Sequence, residues 1–364
     1  MPSAWRADHI GSFLRPPELL KARSEGLDSE SLGELEDRHI LQVLKKQKDL
    51  GLEIFTDGEL RRRNFMSDFT DAVSGFDLGD STARVWQGKA EDSSPSRVAG
   101  VVQARLKKLR SLTGHEMFFL KTNCPGAIKI TLPSATQFPA IAFKRGITDQ
   151  VYKSHSELLW DIVEIMKGEL AELAGKGASY IQIDAPRYSY YMDQKWREWM
   201  KMELGVDPDT ALDEAIEADN ACFRAARRPG ITLAIHLCRG NNRSHWYAEG
   251  GYDAIAERLF GALEVDRFLL EYDDERSGTF EPLRFVPRGK TVVLGLVSSK
   301  RAELEDEGNL IRKIEEAAKY VDSENLALSP QCGFASTMEG NLLTEDEQWA
   351  KLLLVVETAS RVWQ

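Results

Sequence analysis

The sequence predicts an α/β protein whose strands close into a (β/α)8 TIM barrel within one domain. Three observations lead to this fold class. Eight short apolar runs are typical of strands, amphipathic stretches alternate with them, and polar side chains gather where the runs end. The main alternative, a doubly wound open sheet, is disfavoured because no glycine-rich phosphate loop follows the first strand.

The strand predictions rest on short runs that are rich in β-branched and aromatic residues. Several of these runs are apolar almost throughout, as expected for parallel strands that are buried on both faces. In chain order the predicted strands are 6–12, 52–57, 117–122, 179–184, 232–237, 267–272, 291–297 and 325–329.

The helix predictions rest on longer stretches in which apolar residues recur with a period near 3.6. In the first of them, residues 30–50, the periodic set includes Ile40, Leu41 and Val43. Further helices are predicted over 148–175, 209–228, 251–264, 308–320 and 344–362.

One stretch, residues 64–115, breaks the alternation of strands and helices. It is rich in Ser, Asp, Gly and Lys, and Val101, Leu106 and Leu109 near its end predict a helix. We interpret 64–115 as an insertion between the second and third strands of a single domain spanning 1–364. One domain suffices because α/β barrels of about 250 residues or more form a single unit.

The composition excludes several classes of partner. A formal net charge of −11 argues against nucleic acid or an anionic membrane as the main partner. No run approaches the roughly 18 apolar residues of a membrane-spanning helix, and the amino terminus lacks the apolar run of a signal peptide. We therefore expect a cytoplasmic protein whose four cysteines stay reduced and serve a metal or catalysis.

Polar residues cluster at the carboxyl ends of the predicted strands. In a (β/α)8 barrel these ends form one rim, which carries the active site. Residues that are far apart in sequence are therefore expected to meet there. The strand-end groups are Gly11-Ser12, Asp57-Gly58-Glu59, Asp184-Ala185-Pro186, His236-Leu237-Cys238, Glu271-Tyr272-Asp273 and Gln331-Cys332-Gly333.

Two of these residues, His236 and Cys238, are spaced to share one metal ion. Positions i and i+2 of an extended segment point to the same side, and His and Cys are both zinc ligands. Cys332 can add a second thiolate and Glu271 an oxygen, which would complete a tetrahedral site. The alternative is a buried thiol beside a core histidine.

The other two cysteines are weaker ligand candidates. Cys222 lies within a helical pattern and is expected in the core. Cys124 ends a predicted strand, so it remains a competitor for the metal.

The charge of the four-residue donor set indicates its chemistry. Two thiolates, a carboxylate and a neutral imidazole carry about −3, which leaves a zinc site near −1. Such a centre is poorly suited to ionising water, but it suits a bound thiol that must react as a thiolate. Four protein ligands would close the site, so we expect Glu271, the hardest ligand, to yield to a substrate sulfur.

The motifs HLC, LEYDDE and SPQCG, with IGS near the amino terminus and DGE after it, resemble those of cobalamin-independent methionine synthases. The resemblance is to the carboxyl-terminal catalytic barrel of that family and covers nearly the whole chain in the same motif order. It implies a zinc-dependent methyltransferase of methionine biosynthesis. The implied zinc ligands are His236, Cys238, Glu271 and Cys332.

The resemblance also implies an amino-acid-binding set. Ile10, Gly11 and Ser12 would lie near the substrate carboxylate, and Glu59 and Asp184 near its ammonium group. The chemistry agrees, because backbone N–H groups and a hydroxyl suit an anion while two carboxylates suit a cation. The alternative for the two acids is solvation at a strand end or pairing with the arginines at 61–63.

The sequence departs from the family pattern at three points. The family enzyme is a duplicated double barrel, whereas this chain is long enough for one barrel. A histidine after the seventh strand, the proton donor to the leaving folate, is replaced by the segment VSSK at 297–300, and the family motif IDEP reads IDAP at 183–186. These changes concern the methyl donor more than the thiol. Ser298 and His245 are the candidate replacements for the missing acid.

Two loops each allow more than one interpretation. The aromatic loop 187–191, which leads to Trp196 and Trp199, either lines a donor pocket or packs as a cover over the barrel mouth. The loop after the fifth strand either binds an anionic tail or protonates a leaving group, or simply faces solvent. Its polar residues are Arg239, Asn241, Arg243 and His245.

The leading function is methyl transfer to homocysteine or a similar small thiol, with a methyl-folate or a corrinoid protein as donor. A second hypothesis keeps the zinc thiolate but uses another electrophile, as in the epoxide–coenzyme M transferases; Glu59 and Asp184 favour an amino-acid thiol over a sulfonate. A third is a non-catalytic barrel with structural zinc, and a metal-free decarboxylase is disfavoured by the ligand set. The oligomeric state, including a homo-oligomer, stays open.

Overall fold

The computed structural model describes residues 5–80 and 100–363. Seven of its strands form a parallel sheet in the order β1-β4-β5-β6-β7-β8-β9, and β2 pairs with β3 in a separate antiparallel hairpin. This is an α/β fold built on a half-barrel sheet. The strands are β1 (Ile54–Phe55), β2 (Val73–Asp77), β3 (Val101–Lys108), β4 (Ala127–Pro133), β5 (Tyr180–Asp184), β6 (Thr232–Leu237), β7 (Arg267–Glu271), β8 (Thr291–Val297) and β9 (Leu326–Pro330).

Helices connect the strands of the parallel sheet. The six helices predicted from periodicity are present with shifted ends, the largest shift being at the start of the helix predicted over 148–175. The helices are α1 (Pro17–Ser24), α2 (Ser29–Asp49), α3 (Ser67–Ala72), α4 (Gly114–Asn123), α5 (Pro139–Ala142), α6 (His155–Lys176), α7 (Ser189–Met192), α8 (Gln194–Trp199), α9 (Pro208–Ala226), α10 (Ala256–Ala262), α11 (Glu307–Ala317) and α12 (Glu345–Val362).

Side-chain caps determine where the long helices begin. The Ser154 hydroxyl accepts a hydrogen bond from the Glu157 N–H at the start of α6. At the start of α12, Thr344 and Glu347 form a reciprocal capping box. These bonds satisfy backbone N–H groups that have no partner within the helix.

The strand predicted over 117–122 is wrong, because this apolar run belongs to helix α4. Met117 and Leu120 are buried three residues apart, as on one face of a helix, while Phe118 is 78% exposed. The strand that follows β1 in the parallel sheet is instead β4, which comes after a Pro-Gly turn and is rich in β-branched residues. The backbone N–H of Ala127 donates to Glu53 and aligns β4 with β1.

The helix predicted around Val101, Leu106 and Leu109 is also wrong, because residues 101–108 form strand β3. Val101, Val102 and Leu106 are buried in pairing with β2, while the residues between them are exposed. Tyr152 fixes this strand by accepting a hydrogen bond from the Leu106 N–H at 2.8 Å. Part of the predicted insertion, residues 81–99, lies outside the described residues.

The segment predicted as the first strand, 6–12, forms a single parallel bridge from Ala7 to Leu328 of β9. The Asp8 N–H donates to Leu328 at 2.9 Å, and the Leu328 N–H donates to Arg6 at 2.8 Å. Beyond the segment, the Phe13 N–H donates to Gly58 at 3.0 Å. The segment therefore lies between the last strand of the sheet and the loop that follows β1.

The two faces of the parallel sheet have separate apolar cores. The larger core packs the outer face against the helices. A small inner cluster takes single residues from successive strands, namely Ile10, Ile54, Tyr180, Ala234, Leu269, Val293 and Ala327. A sheet with its own enclosed inner core is curved, so its strand ends converge. No helix among the described residues is long and apolar enough to cross a membrane.

Candidate active site

Three metal-ligating side chains converge at the carboxyl end of the parallel sheet. His236 lies near the end of β6, Cys238 follows this strand directly, and Cys332 follows β9. Their ligand atoms all lie within 4.8 Å of one another, and all three residues are buried. The structure thus brings together three of the four zinc ligands predicted from the sequence.

His236 is prepared to bind through one ring nitrogen. Its Nδ1 lies 3.2 Å from the carbonyl oxygen of Leu269. Because a carbonyl only accepts, Nδ1 carries the proton and Nε2 keeps its lone pair. Nε2 is buried without a hydrogen-bond partner. Metal-binding histidines are oriented by this kind of contact from the second ring nitrogen.

The two thiols lie close enough to shift each other's pKa. The hydrogen bond between Cys238 and Cys332 lowers the pKa of Cys332 well below its usual range, with a further contribution from His236. The same bond, together with burial, raises the pKa of Cys238. The thiolate is the form of cysteine that binds metal. One imidazole and two sulfurs match the nitrogen and sulfur ligands that zinc prefers, so the residues fit this ion.

Glu271 falls outside the group of ligand atoms that lie within 4.8 Å of one another. Its carboxylate is fully buried and accepts the Arg239 N–H at 2.7 Å. Arg276 lies 3.4 Å and Lys300 3.9 Å from the other oxygen. Burial alone would raise the pKa of Glu271, but Lys300, Arg239 and Arg276 together lower it below the usual value. Glu271 is therefore a charged carboxylate at the edge of the group.

A cavity adjoins the three ligands and holds about 620 Å³ of space counted out to its open mouth. Strand-end loops from around the sheet contribute its walls, which mix buried polar groups with aromatic rings. The lining residues are Ile10, Ser12, Glu59, Phe65, Gln137, Asp184, Pro186, His236, Cys238, Gly240, Asn241, Asn242, Tyr247, Cys332, Gly333, Ser336 and Thr337.

Two buried carboxylates, Glu59 and Asp184, face this cavity. Glu59 Oε1 accepts a hydrogen bond from Thr131 at 2.7 Å and lies 3.6 Å from Arg62, whereas its Oε2 has no partner. Asp184 Oδ1 accepts from Gln182 at 2.7 Å. Burial raises the pKa of Asp184 to about 7, and the charge of Glu59 adds to this effect. The pair forms a site of negative potential that suits a cation.

The loop after the amino-terminal segment places Ser12 beside the metal-ligand group. A Cβ at Gly333 would lie 2.0 Å from the Ser12 Oγ, so the hydroxyl packs directly on this glycine. Gly11 has φ of +136°, and a Cβ there would meet Thr131 at 2.7 Å. Ile10 and Ser12 line the cavity, whereas Gly11 supplies the tight turn between them.

The two candidate proton donors do not line the cavity. Ser298 is buried, and its hydroxyl accepts the Lys300 N–H at 3.3 Å while its own N–H donates to Glu305. His245 lies in a turn and donates from Nδ1 to the carbonyl of Asn242 at 3.0 Å. Neither side chain meets the metal-ligand group directly.

Several lining residues were not predicted. Gln137 was missed because the third strand was misplaced, and its Oε1 is buried without a partner. Tyr247 lies well beyond the HLC motif, and its ring packs against Gly240. Asn242 has no partner for its side-chain oxygen or nitrogen. The sequence signal for such residues is a polar side chain a few positions after a strand end. This signal is weak because the loop conformation decides whether the side chain faces the cavity.

The two loops with more than one interpretation contain residues that pack and residues that line the cavity. Trp196 stacks on Tyr190 with ring centroids 4.1 Å apart and donates to the Tyr247 carbonyl, so this tryptophan packs as part of a cover. The Arg239 guanidinium donates hydrogen bonds mainly to backbone carbonyls, chiefly to that of Gly250 at 2.7 Å. Asn241 lines the cavity and donates to Gly333 at 2.8 Å.

A second group of ligand-type atoms, from Asp68, His115 and Glu116, lies away from this cavity. Its two carboxylates are occupied by Arg62, whose guanidinium lies 2.6 Å from each of them. Asp68, Glu116 and Arg62 therefore form a buried ion-pair cluster, while His115 is exposed.

Comparison with known proteins decides the family. Residues 6–360 match the model described as cobalamin-independent synthase, catalytic domain. The chain belongs to this family. It is 37% identical to the uncharacterized protein YxjH of Bacillus subtilis over 99% of this chain and 95% of that protein. It is 25% identical to a methionine synthase of Saccharolobus islandicus over 96% and 92% of the two chains.

A solved structure agrees with the family assignment. The match is a Listeria monocytogenes protein assigned as a vitamin-B12-independent methionine synthase, with a TM-score of 0.75 and 28% identity over 100% of this chain and 99% of that one. The cobalamin-independent synthases are methyltransferases that use small-molecule substrates, and their structures are barrels of this type. Within this family, the present chain retains a His/Cys/Cys group able to hold a metal at its strand ends.

Proposed function

We propose that this protein is a zinc-dependent methyltransferase of methionine biosynthesis that methylates the sulfur of homocysteine. One observation carries the proposal: three zinc-type ligands border a cavity that also holds two buried carboxylates. The first set suits a thiol, and the second suits the ammonium group of an amino acid. Membership of the cobalamin-independent synthase family supports the same reaction.

We also propose that the sheet closes as a complete (β/α)8 barrel within a single domain spanning 1–364. The segment 6–12 would be the eighth strand, because it bonds to β9 and continues into a bond with the loop after β1. Residues 64–115, which include the β2–β3 hairpin, would be an insertion between the second and third barrel strands. The inner apolar cluster supports this closure.

Zinc would be held by His236, Cys238 and Cys332, with Glu271 as the fourth ligand. Bound zinc would lower the pKa of a substrate thiol, so that its sulfur reacts as a thiolate. Arg276 and Lys300 keep the Glu271 carboxylate charged for this role.

The amino-acid part of homocysteine would bind beside the ligands. Glu59 and Asp184 would pair with its ammonium group, using the Glu59 Oε2 that lacks a partner. The Ser12 hydroxyl and the backbone of residues 10–12 would bind its carboxylate. These contacts would hold the sulfur next to the metal ligands and so convert a bimolecular encounter into an oriented one.

The methyl group would pass to sulfur as the bond between methyl and donor breaks, with the electron pair leaving on the donor. A folate leaving group needs a proton, and Ser298 or His245 would supply it only after a change of conformation, since neither lines the cavity. A corrinoid leaving group needs no proton. A methyl-corrinoid donor therefore fits this site as well as methyl-folate does.

The test is zinc content and zinc K-edge absorption of the full chain, with and without homocysteine. We expect one zinc per chain whose neighbours change on addition of homocysteine, with a sulfur gained and an oxygen lost. Coenzyme M, a sulfonate thiol, should not produce this change. A zinc whose neighbours are unaffected by either thiol would contradict the proposal and favour a structural ion.

Two cysteine variants sharpen this test. Cys238→Ser should lose zinc and methyl transfer together, because it removes one ligand of the group. Cys124→Ser changes a half-buried cysteine outside the group and should retain both. Equal zinc content in the two variants would show that the metal is held elsewhere.

A further inference from the structure

A second cavity lies beside the candidate active site, at the carboxyl ends of β4 and β5. It holds about 1270 Å³ of space counted out to its open mouth. Two short 3₁₀ turns, Ala135–Gln137 and Pro186–Tyr188, contribute residues to both cavities. Gln137 and Pro186 line the active-site cavity, and Arg187 lines the second one. A molecule in the second cavity would therefore lie next to the reacting groups.

The unusual residue of this cavity is Arg187. Its side chain is buried, with only 3% of the residue exposed. None of its three guanidinium nitrogens makes a hydrogen bond of normal geometry, and it forms no ion pair with a described residue. The guanidinium lies 4.4 Å from the ring centre of Tyr190 and 5.5 Å from that of Tyr247. Stacking holds the cation in place, and no described group accepts from its N–H donors with normal hydrogen-bond geometry.

The other buried arginines among residues 5–80 and 100–363 do not share this feature. Arg62 lies 2.6 Å from the carboxylates of both Asp68 and Glu116. Arg239 donates to the Gly250 carbonyl at 2.7 Å. A buried guanidinium without such partners is costly unless a ligand supplies them. Arg187 is therefore positioned to receive an anion.

The surroundings of Arg187 also favour negative charge. Arg145 and Lys153 line the cavity and are exposed, and neither forms an ion pair with a described residue. The first residues of α6 line it as well, and the first N–H groups of a helix have no intrahelical acceptor. His155 stacks on Phe143 with ring centroids 4.1 Å apart, and its Nε2 is buried without a partner.

The cavity also contains carboxylates, which must be counted against the basic side chains. Asp149 and Glu214 both line it. Glu214 is already occupied, since it accepts hydrogen bonds from Ser156 and from Trp160. Three basic side chains therefore face two acidic ones, and the only one of the five that is buried is Arg187. The charge next to the aromatic wall is positive.

We infer that the second cavity binds the oxyanion, a carboxylate or a phosphate, of a small molecule, and that Arg187 is its principal contact. The rings of Tyr190 and Tyr247, which pack edge to face, lie between this anion and the active-site cavity. Identification of the small molecule as the methyl donor rests on the proposed function, whereas the anion site itself does not.

The test is calorimetric titration of the zinc-loaded full chain with two probes, inorganic phosphate and 4-aminobenzoylglutamate, an aromatic dicarboxylate. Arg187→Gln should weaken binding of the preferred probe by about tenfold or more, because it removes charge-assisted hydrogen bonds. The affinity of Arg187→Lys for the probe should lie between those of the wild type and Arg187→Gln. Arg258→Gln removes an exposed arginine outside the cavity and should bind as the wild type does.

Arg145→Gln changes an exposed residue of the cavity and should weaken probe binding by a few fold. If Arg187→Gln does not fold, this variant tests whether the cavity binds the anion. The inference is overturned if the wild type binds neither probe at millimolar concentration, or if both cavity variants bind like the wild type. Preference for one probe identifies carboxylate or phosphate as the anion. Arginine-dependent binding without any methyl transfer would remove the proposed function and leave the anion site standing.

Discussion

Two clusters of buried polar side chains lie at opposite ends of the parallel strands. At the amino ends, Lys129 donates to Asp8 at 2.9 Å, Tyr180 donates to the second oxygen of the same carboxylate at 2.9 Å, and Arg267 lies 3.5 Å from it. At the carboxyl ends, by contrast, His236 Nε2 and one oxygen of Glu59 are buried without a hydrogen bond of normal geometry to any described residue. Both regions are buried, but only at the amino ends are both oxygens of the central carboxylate paired with described side chains.

This difference separates groups that stabilise the fold from groups that bind a ligand. Burial would raise the pKa of Asp8, yet Lys129 and Arg267 lower it to about 2, so its charge is well supported. At the other end, burial raises the pKa of Asp184 to about 7, although the charge of His236 opposes this shift. A buried polar atom without a partner is costly, so its presence at a cavity indicates a missing ligand.

The largest effect is expected from Asp8→Asn. The substitution leaves Lys129 and Arg267 buried without a counter-charge, which should lower the free energy of unfolding by about 3–5 kcal/mol. Because the folded-state pKa of Asp8 is about 2 and its ordinary value is 3.8, this stabilisation is present above pH 4 and is lost as pH falls toward 2. Urea unfolding at several pH values measures both effects.

The control for this variant is an exposed ion pair, Lys45 with Asp49. Asp49→Asn should change the free energy of unfolding by about 0.5 kcal/mol or less, since both side chains are solvated. If Asp8→Asn and Asp49→Asn lower the free energy of unfolding equally, the buried amino-end cluster stabilises the fold no more than an exposed ion pair does.

The next largest effect is expected from Cys332→Ala at the other end of the strands. Loss of one ligand should reduce methyl transfer by more than about 100-fold. The free energy of unfolding should fall by less than about 2 kcal/mol, because only a small buried side chain is removed. Chemical denaturation and activity assays on the same preparation check both values. An unfolded variant would instead identify the metal as structural.

The sequence predicted site residues correctly where a short spacing determines the side to which side chains point. His236 and Cys238 had to point to one side because they are two residues apart at a strand end, and the structure places them together with Cys332. The pattern failed at residues 117–122, where the run MFFL is compatible with either a strand or one turn of an amphipathic helix. That error displaced the third strand and concealed Gln137.

Other features of the site depend on partners that the sequence does not reveal. Arg187 was noted only as part of an aromatic loop, and its importance lies in the lack of an ion pair or a normal hydrogen bond with any described residue. Pairing of Glu59 with one of the arginines at 61–63 was the alternative to substrate binding. Arg62 does lie 3.6 Å from Glu59, yet its closest contacts are Asp68 and Glu116. Whether a buried charge is paired follows from tertiary packing, which periodicity and spacing do not encode.

The smallest effect concerns the pH dependence of amino-acid binding. Burial raises the pKa of Asp184 to about 7, so below this pH the group is a neutral acid and above it a carboxylate. The affinity for methionine, which lacks a titrating thiol, should therefore rise about tenfold from pH 6 to pH 8 in protein treated with a chelator. Asp184→Asn should bind weakly at both pH values, because an amide does not pair with an ammonium group.

Asp219 provides the matched control for this titration. Burial raises its pKa to about 7 as well, but its oxygens accept hydrogen bonds from Ser134 and Tyr188, and it does not line the active-site cavity. Asp219→Asn should keep the pH dependence of methionine binding. If this variant loses the dependence and Asp184→Asn retains it, the titrating group belongs to the packed core. The carboxyl-end acids would then resemble the amino-end cluster, with no ligand needed to complete them.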